Sequence, residues 1–185
     1  MNNIIQNNLQ INKGLILIDI QEKIINPINN KDSIIKNIKK LLRAYELLDE
    51  NIFVSEQNPL KLGETVTDLL PKVDFNKIQK VEFSLAKNYE LIEELENKKV
   101  TNLIICGIET HICIQQSVIE FMEKGYEVFV ISDAMGSRNK LDHDTALQRM
   151  LHKGAIITTT ESIIFELCET SDRKEFKEIS KIIKN

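Results

Sequence analysis

Six short apolar runs rich in β-formers recur near residues 14–20, 51–55, 77–81, 101–106, 126–132 and 155–158, and amphipathic stretches lie between them. Segments 31–49, 88–98, 111–124 and 141–153 carry apolar residues at three- and four-residue spacing, the period of a helix with one buried face. Alternation of this kind forces right-handed crossovers, and so predicts a parallel sheet covered on both faces by helices. A length of 185 residues suits one compact domain with a sizeable core, and 42% apolar against 28% charged residues is ordinary for such a domain. No repeat, low-complexity linker or Pro/Gly-rich boundary divides the chain. The reading is one domain over 14–185, preceded by a loosely held, amide-rich arm over 1–13.

Composition narrows the function classes. A net charge of -4 argues against nucleic acid or an anionic membrane as the main partner, although a net value leaves a local basic patch open. No apolar run reaches the roughly 18 residues of a membrane span, and the leader MNNIIQNNLQINK lacks the charged start and long apolar centre of a signal peptide. A cytoplasmic location is expected. The cysteines, Cys106, Cys113 and Cys168, form no disulfide framework, which fits a reducing compartment and leaves a free thiol available.

Chemistry concentrates at three predicted strand ends. In VTNLIICGIETHIC, residues 100–113, a buried-type strand ends at Gly107 and a polar turn delivers Cys113 to a helix start. There the backbone N–H groups and helix dipole favour a thiolate, and unpaired N–H groups can hold an oxyanion. The alternative is a small buried hydrophobe, the commoner fate of a free cysteine. Asp19 interrupts the apolar strand GLILIDIQ, where a carboxylate is rarely left without a reason. Both residues emerge at the C-terminal rim of the sheet, where open parallel sheets bind ligands. Lys80, in KIQKVEFS, ends a third run. Taken singly it reads as a solvated surface lysine, and Asp19 as a cap or turn former.

The motifs LIDIQ, KVEFSLAKN, CGIETHICIQQSVIEFMEKGYEVFVISDAMGSR and HDTALQRMLHKGA, in this order from about Gly14 to Phe165, resemble the isochorismatase-like cysteine hydrolases. Within that superfamily the runs SEQNPLKLGETV, GIETHIC and TTTESIIFEL look most like the isochorismatase domain-containing branch. The resemblance implies a Rossmann-like three-layer α/β/α sandwich around a six-stranded parallel sheet. It implies a triad of Asp19, Lys80 and Cys113, a cis peptide between Ile108 and Glu109, and an oxyanion hole formed by the N–H groups of Glu109 and Cys113. In that scheme Asp19 is the base that takes the thiol proton and passes it to the leaving group, while Lys80 favours the charged forms of both neighbours and orients Asp19. The family's habit of homo-oligomerisation adds that expectation, and the C-terminal segment DRKEFKEISKIIKN carries Phe176, Ile179, Ile182 and Ile183 on one helical face, free to pack either on a second copy or on its own domain.

Weaker candidates surround the triad. Gln21, Glu56, Phe83, Ile108 and Thr110 are read as substrate-pocket residues, with Gln57 beside them. For Glu56 and Gln57 the default is a polar turn, and for Phe83 a core aromatic. His111 is turned away from Cys113 by its two-residue separation. Asp133 is expected to bond neighbouring loops, and Arg138 and Arg149 to serve ion pairs. Nicotinamidases of the superfamily hold a metal through histidines after the second strand, but FVSEQNPLKLGETV has none, so neither a metal nor another cofactor is expected. Zinc on Cys106, His111 and Cys113 matches no usual spacing and would consume the nucleophile. Isochorismatases proper lack the cysteine. These readings converge on a metal-independent hydrolase acting through a thioester on a non-peptide C–N bond of a small amide, carbamoyl or related substrate. The alternative is a non-catalytic scaffold or small-ligand-binding protein that keeps the fold.

Overall fold

The computed structural model describes residues 12–184, and the alternation resolves into six strands, all parallel. These are β1 (Asn12–Ile18), β2 (Asn51–Gln57), β3 (Asn76–Lys80), β4 (Val100–Ile108), β5 (Glu127–Gly136) and β6 (Ile156–Thr158), in the spatial order β3-β2-β1-β4-β5-β6. The chain runs outward from β1 to β3, returns beside β1 as β4, and runs outward again on the other side. The C-terminal ends of β1 and β4 therefore flank a topological switch point.

Helices cover both faces: α1 (Glu22–Ile25), α2 (Lys31–Leu48), α3 (Pro59–Leu62), α4 (Tyr89–Asn97), α5 (Gln115–Glu123), α6 (Lys140–Lys153), α7 (Thr160–Cys168) and α8 (Phe176–Lys184). Strand residues alternate between two cores. Leu15 and Leu17 face Ile34, Ile38 and Leu41 of α2 and Ile163 and Ile164 of α7, whereas Ile16 and Ile18 face Leu91 of α4, Val118 and Phe121 of α5 and Met150 of α6. This period-two split gives the three-layer sandwich.

Boundaries differ from the sequence reading where polar residues end strands. β1 stops at Ile18, and Asp19 leaves it in the left-handed region at φ 52°. β2 runs on through Gln57, β4 through Ile108 and β5 through Gly136, because parallel pairing continues beyond the apolar runs. Asn12 and Lys13 already belong to β1, aligned with Val100 and Asn102, so the arm ends earlier than expected. The expectation for residues 1–11 lies outside the described residues. The short helices α1 and α3 have no counterpart in the periodicity of the sequence.

Gly107 fixes how closely β1 and β4 approach. It aligns with Ile18 at φ 130°, and a Cβ there would collide with the Ile18 backbone. α8 settles the two options for the C-terminal segment. Phe176, Ile182 and Ile183 pack on the α2/α7 core and Ile179 is wholly buried, so the face is used within its own domain. Ile179→Ala is expected to cost about 2–5 kcal/mol in a urea titration. A loss under about 0.5 kcal/mol would show that α8 is not seated there. Among the described residues no helix is long and apolar enough to cross a membrane.

Candidate active site

Strand register assembles the site. Ile18 aligns with Ser55 on one side and Gly107 on the other, and Gln57 aligns with Lys80. Asp19, the first residue past β1, thus lies against Ser55. Its N–H donates to the Ser55 carbonyl at 3.1 Å, and its Oδ1 accepts from Ser55 Oγ at 2.7 Å. Oδ2 accepts from Lys80 Nζ at 2.6 Å, and the same Nζ donates to Gln57 Oε1 at 2.6 Å. Lys80 sits two strands from β1, roughly 10 Å at ordinary strand spacing, a gap that a long flexible cation spans. The Lys80 and Asp19 side chains are each 1% exposed, so this is a fully buried ion pair rather than the solvated lysine that its sequence alone would indicate.

Cys113 reaches the same point from β4. The segment Thr110–Ile114 forms one wide π-type turn ahead of α5, in which the Ile114 N–H meets the Glu109 carbonyl at 3.3 Å. Here the structure departs from the sequence reading, because Cys113 lies inside this turn and not at the start of a regular helix. Its thiol lies near enough to the pair for the Asp19 and Lys80 charges both to act on its ionisation. Burial first, and the Asp19 charge second, push the thiol up to about 12, with Lys80 opposing. This is opposite in direction to the lowering that a helix start and a nearby lysine lead one to expect. A helix-end field contributes about 0.3–1 kcal/mol, too little to offset desolvation of a sulfur that is 7% exposed.

The other cysteines are less accessible. Cys106 is wholly buried in β4, which raises its thiol further still, and Cys168 is buried at the end of α7. Brief iodoacetamide treatment is therefore expected to label Cys113 ahead of Cys106. The rate should be slow at neutral pH and climb toward pH of about 10 as the thiol begins to ionise. Peptide mapping reads both features, and preferential labelling of Cys106 would contradict the placement.

The pocket candidates are not brought together. Gln21 is buried, its Nε2 donating to the carbonyls of Gln57 and Gly63 and its Oε1 accepting from the Gln57 N–H at 2.7 Å. Glu56 faces the opposite side of β2 from Ser55, where Oε1 accepts from the Thr65 N–H and hydroxyl and pairs with Lys77 at 2.9 Å. Ile108 lies in the α2-side core. Thr110 is buried with its hydroxyl 2.9 Å from His143 Nδ1, and burial holds that imidazole below its usual range. Those four side chains are held by contacts within the protein. Phe83 is 54% exposed on the loop after β3, so it is not the core aromatic of the default reading.

Neighbouring polar groups brace the turn. The peptide between Ile108 and Glu109 is cis, as the resemblance implies. Glu109 is buried, with Oε1 accepting from Arg138 Nε at 2.7 Å. His111 turns to Ser137, its Nδ1 lying 2.9 Å from Oγ, and not to Cys113. Asp133 accepts from the N–H and hydroxyl of Thr160, tying β5 to the start of α7. Arg149 makes no ion pair among the described residues. Ser117, which the sequence reading passed over, accepts from the Leu85 N–H and donates to the Cys113 carbonyl at 2.6 Å, joining the loop after β3 to the nucleophile turn. Ser55 was missed as well. Its signal is its position two residues after Phe53 on a strand that continues, which puts both on one face.

No group of three or more His, Cys, Asp or Glu side chains among the described residues is arranged to hold a metal ion. A groove of about 770 Å³ between α2 and α8 is lined by charged residues of both signs and by Ile35, Leu47 and Ile182, and none of Asp19, Lys80 and Cys113 lines it.

The isochorismatase domain model matches residues 13–162. Isochorismatase family protein 1B of Dictyostelium discoideum is 39% identical over 177 residues, 92% of this chain and 85% of that protein. Isochorismatase domain-containing protein 2 of Xenopus laevis is 36% identical over 170 residues, 91% of this chain and 82% of that one. A structure described as MAR1 ribonuclease from Caenorhabditis elegans superposes with a TM-score of 0.89 at 35% identity, covering 94% of this chain and 90% of that one.

Proposed function

We propose that this chain, which belongs to the isochorismatase domain family, is a metal-independent cysteine hydrolase of small amide, carbamoyl or related non-peptide C–N bonds. The observation that carries the reading is a fully buried Asp19–Lys80 pair with the Cys113 thiol beside it, where both charges act on the sulfur. Such a pair is costly to bury, and perturbed ionisable groups gather where chemistry is done.

In the proposed cycle Cys113 gives its proton to Asp19 as the sulfur attacks the substrate carbonyl. The N–H groups of Glu109 and Cys113 hold the oxyanion. Collapse breaks the C–N bond, Asp19 returns the proton to the leaving nitrogen, and a thioester remains. Water then loses a proton to Asp19, attacks the thioester and releases the acid, after which the proton returns to sulfur. Lys80 stays charged throughout and balances the anion, which alternates between carboxylate, thiolate and oxyanion. A thiol raised by burial suits this scheme, because Asp19 lies beside it and ionisation is needed only as the sulfur attacks.

The same upward shift of the thiol is what favours the non-catalytic reading. A panel of small amides, ureides and carbamoyl compounds, followed by ammonia release, separates the two. Because the C. elegans relative is described as a ribonuclease, single-stranded RNA belongs in the panel. RNA cleavage without ammonia release from any amide would replace the present reading with phosphodiester chemistry.

A homo-oligomer in a reducing, cytoplasmic setting completes the proposal. It is supported by the large apolar side chains of Leu60, Val81 and Tyr89 left exposed on one chain, and by cysteines that are all free. A strict monomer by light scattering at micromolar concentration would remove the assembly.

A further inference from the structure

Ser55 and Gln57 stand two residues apart on β2, so their side chains leave the same face of the sheet. Each meets one member of the buried pair with matching polarity. Ser55 Oγ donates to Asp19 Oδ1 at 2.7 Å, and Gln57 Oε1 accepts from Lys80 Nζ at 2.6 Å. The amide orientation is not arbitrary, because Gln57 Nε2 donates to the Val81 carbonyl at 2.7 Å and leaves only the oxygen for the ammonium. The backbone is held as firmly. Gln21 accepts from the N–H of Gln57 and donates to its carbonyl, and the Ser55 carbonyl accepts from the N–H of Asp19.

This arrangement answers a weakness of the ion pair. A carboxylate and an ammonium taken out of water can both lose charge by moving one proton between them, and the neutral pair is then neither a base for Cys113 nor a field that favours a thiolate. A hydroxyl donating to the carboxylate and an amide oxygen accepting from the ammonium each favour the charged partner. Neither bond alone protects both groups. Spacing of i and i+2 on one strand supplies both at once.

We propose that Ser55 and Gln57 are positioning residues of the Asp19–Lys80–Cys113 site, Ser55 holding the carboxylate and Gln57 the ammonium in their charged forms and in reach of the thiol. The inference rests on the hydrolase reading for its consequence in turnover, but not for its effect on the two charges. Its two halves carry opposite signs. Loss of Ser55 makes Asp19 take up a proton at higher pH, whereas loss of Gln57 makes Lys80 release its proton at lower pH.

The test is an NMR titration of the Asp19 carboxyl carbon and the Lys80 Nζ in the full chain, in the parent protein, Ser55→Ala, Ser55→Thr and Gln57→Leu. Ser55→Ala is expected to move the Asp19 midpoint up by about one pH unit, the size of one hydrogen bond to a charged group, with Ser55→Thr restoring it. Gln57→Leu is expected to move the Lys80 midpoint down by a similar amount. In turnover, each variant should lower kcat by roughly tenfold with KM unchanged, since neither side chain is assigned to the substrate. Unmoved midpoints in both variants, or shifts that Ser55→Thr fails to reverse, would overturn the proposal. Failure of the hydrolase reading looks different: the midpoints would move as stated while turnover, if any, ignored Cys113→Ser.

Discussion

Cys113→Ser is expected to lower hydrolysis of any substrate found by on the order of 10⁴-fold or more, because the acyl-enzyme route begins at that sulfur. Asp19→Asn should cost about 10²–10⁴-fold by removing the proton acceptor. The losses should not add, and Asp19→Asn combined with Cys113→Ser should be little worse than Cys113→Ser alone. Lys80 needs separate handling. Its side chain is as buried as that of Asp19, so Lys80→Ala strands a carboxylate without its partner and is expected to cost about 3–5 kcal/mol of stability besides activity. Its turnover must therefore be scored per folded molecule, with circular dichroism beside the assay. A chelator should leave the rate unchanged, because the 53–66 segment carries no histidine. Near-normal turnover in Cys113→Ser, or activity removed by chelation and restored by zinc, would end this mechanism.

Gly107→Ala is expected to be the most damaging small substitution in the sheet, with more than about 4 kcal/mol lost and little soluble protein recovered. Two causes combine at this position. Its φ of 130° is open to glycine and strained for alanine, and the added methyl would meet the Ile18 backbone, which cannot move aside without pulling β1 from β4. Gly125 is the control. It also has a positive φ, 92°, but nothing lies within 4 Å of the point an added Cβ would occupy, so Gly125→Ala should cost only about 1 kcal/mol. Urea titration of the two variants separates backbone conformation from close approach. Similar losses in both would mean that the β1–β4 contact is looser than described.

Much of the architecture is legible because a parallel sheet buried on both faces writes itself as apolar runs, and Ile16–Ile18 and Leu103–Ile105 are such runs. Asp19 is legible for the same reason, as a carboxylate where the pattern calls for none. Lys80 is not. Its run reads KIQK, an ordinary edge-strand alternation, and its side chain is met inside by partners 23 and 61 residues away in sequence. Glu56 and Gln57 look like a turn because polar residues end the apolar run, although the pairing with β3 carries the strand two residues further. The wide turn around Cys113 has no local signature either. Its form depends on how Glu109 is held by Arg138 and Thr110 by His143, both long-range contacts.

The order of the strands also has a bearing on how the molecule matures. Asp19 follows β1, Lys80 ends β3 and Cys113 follows β4, so every link between them spans tens of residues. Non-local pairings of this kind form late, after the loop-closure entropy of the intervening chain has been overcome. Helical signal can recover while the centre is still dispersed. The chemical competence of the sulfur then becomes a clock for closure of the β3-β2-β1-β4 half of the sheet, one that ordinary spectroscopy of the helices does not read.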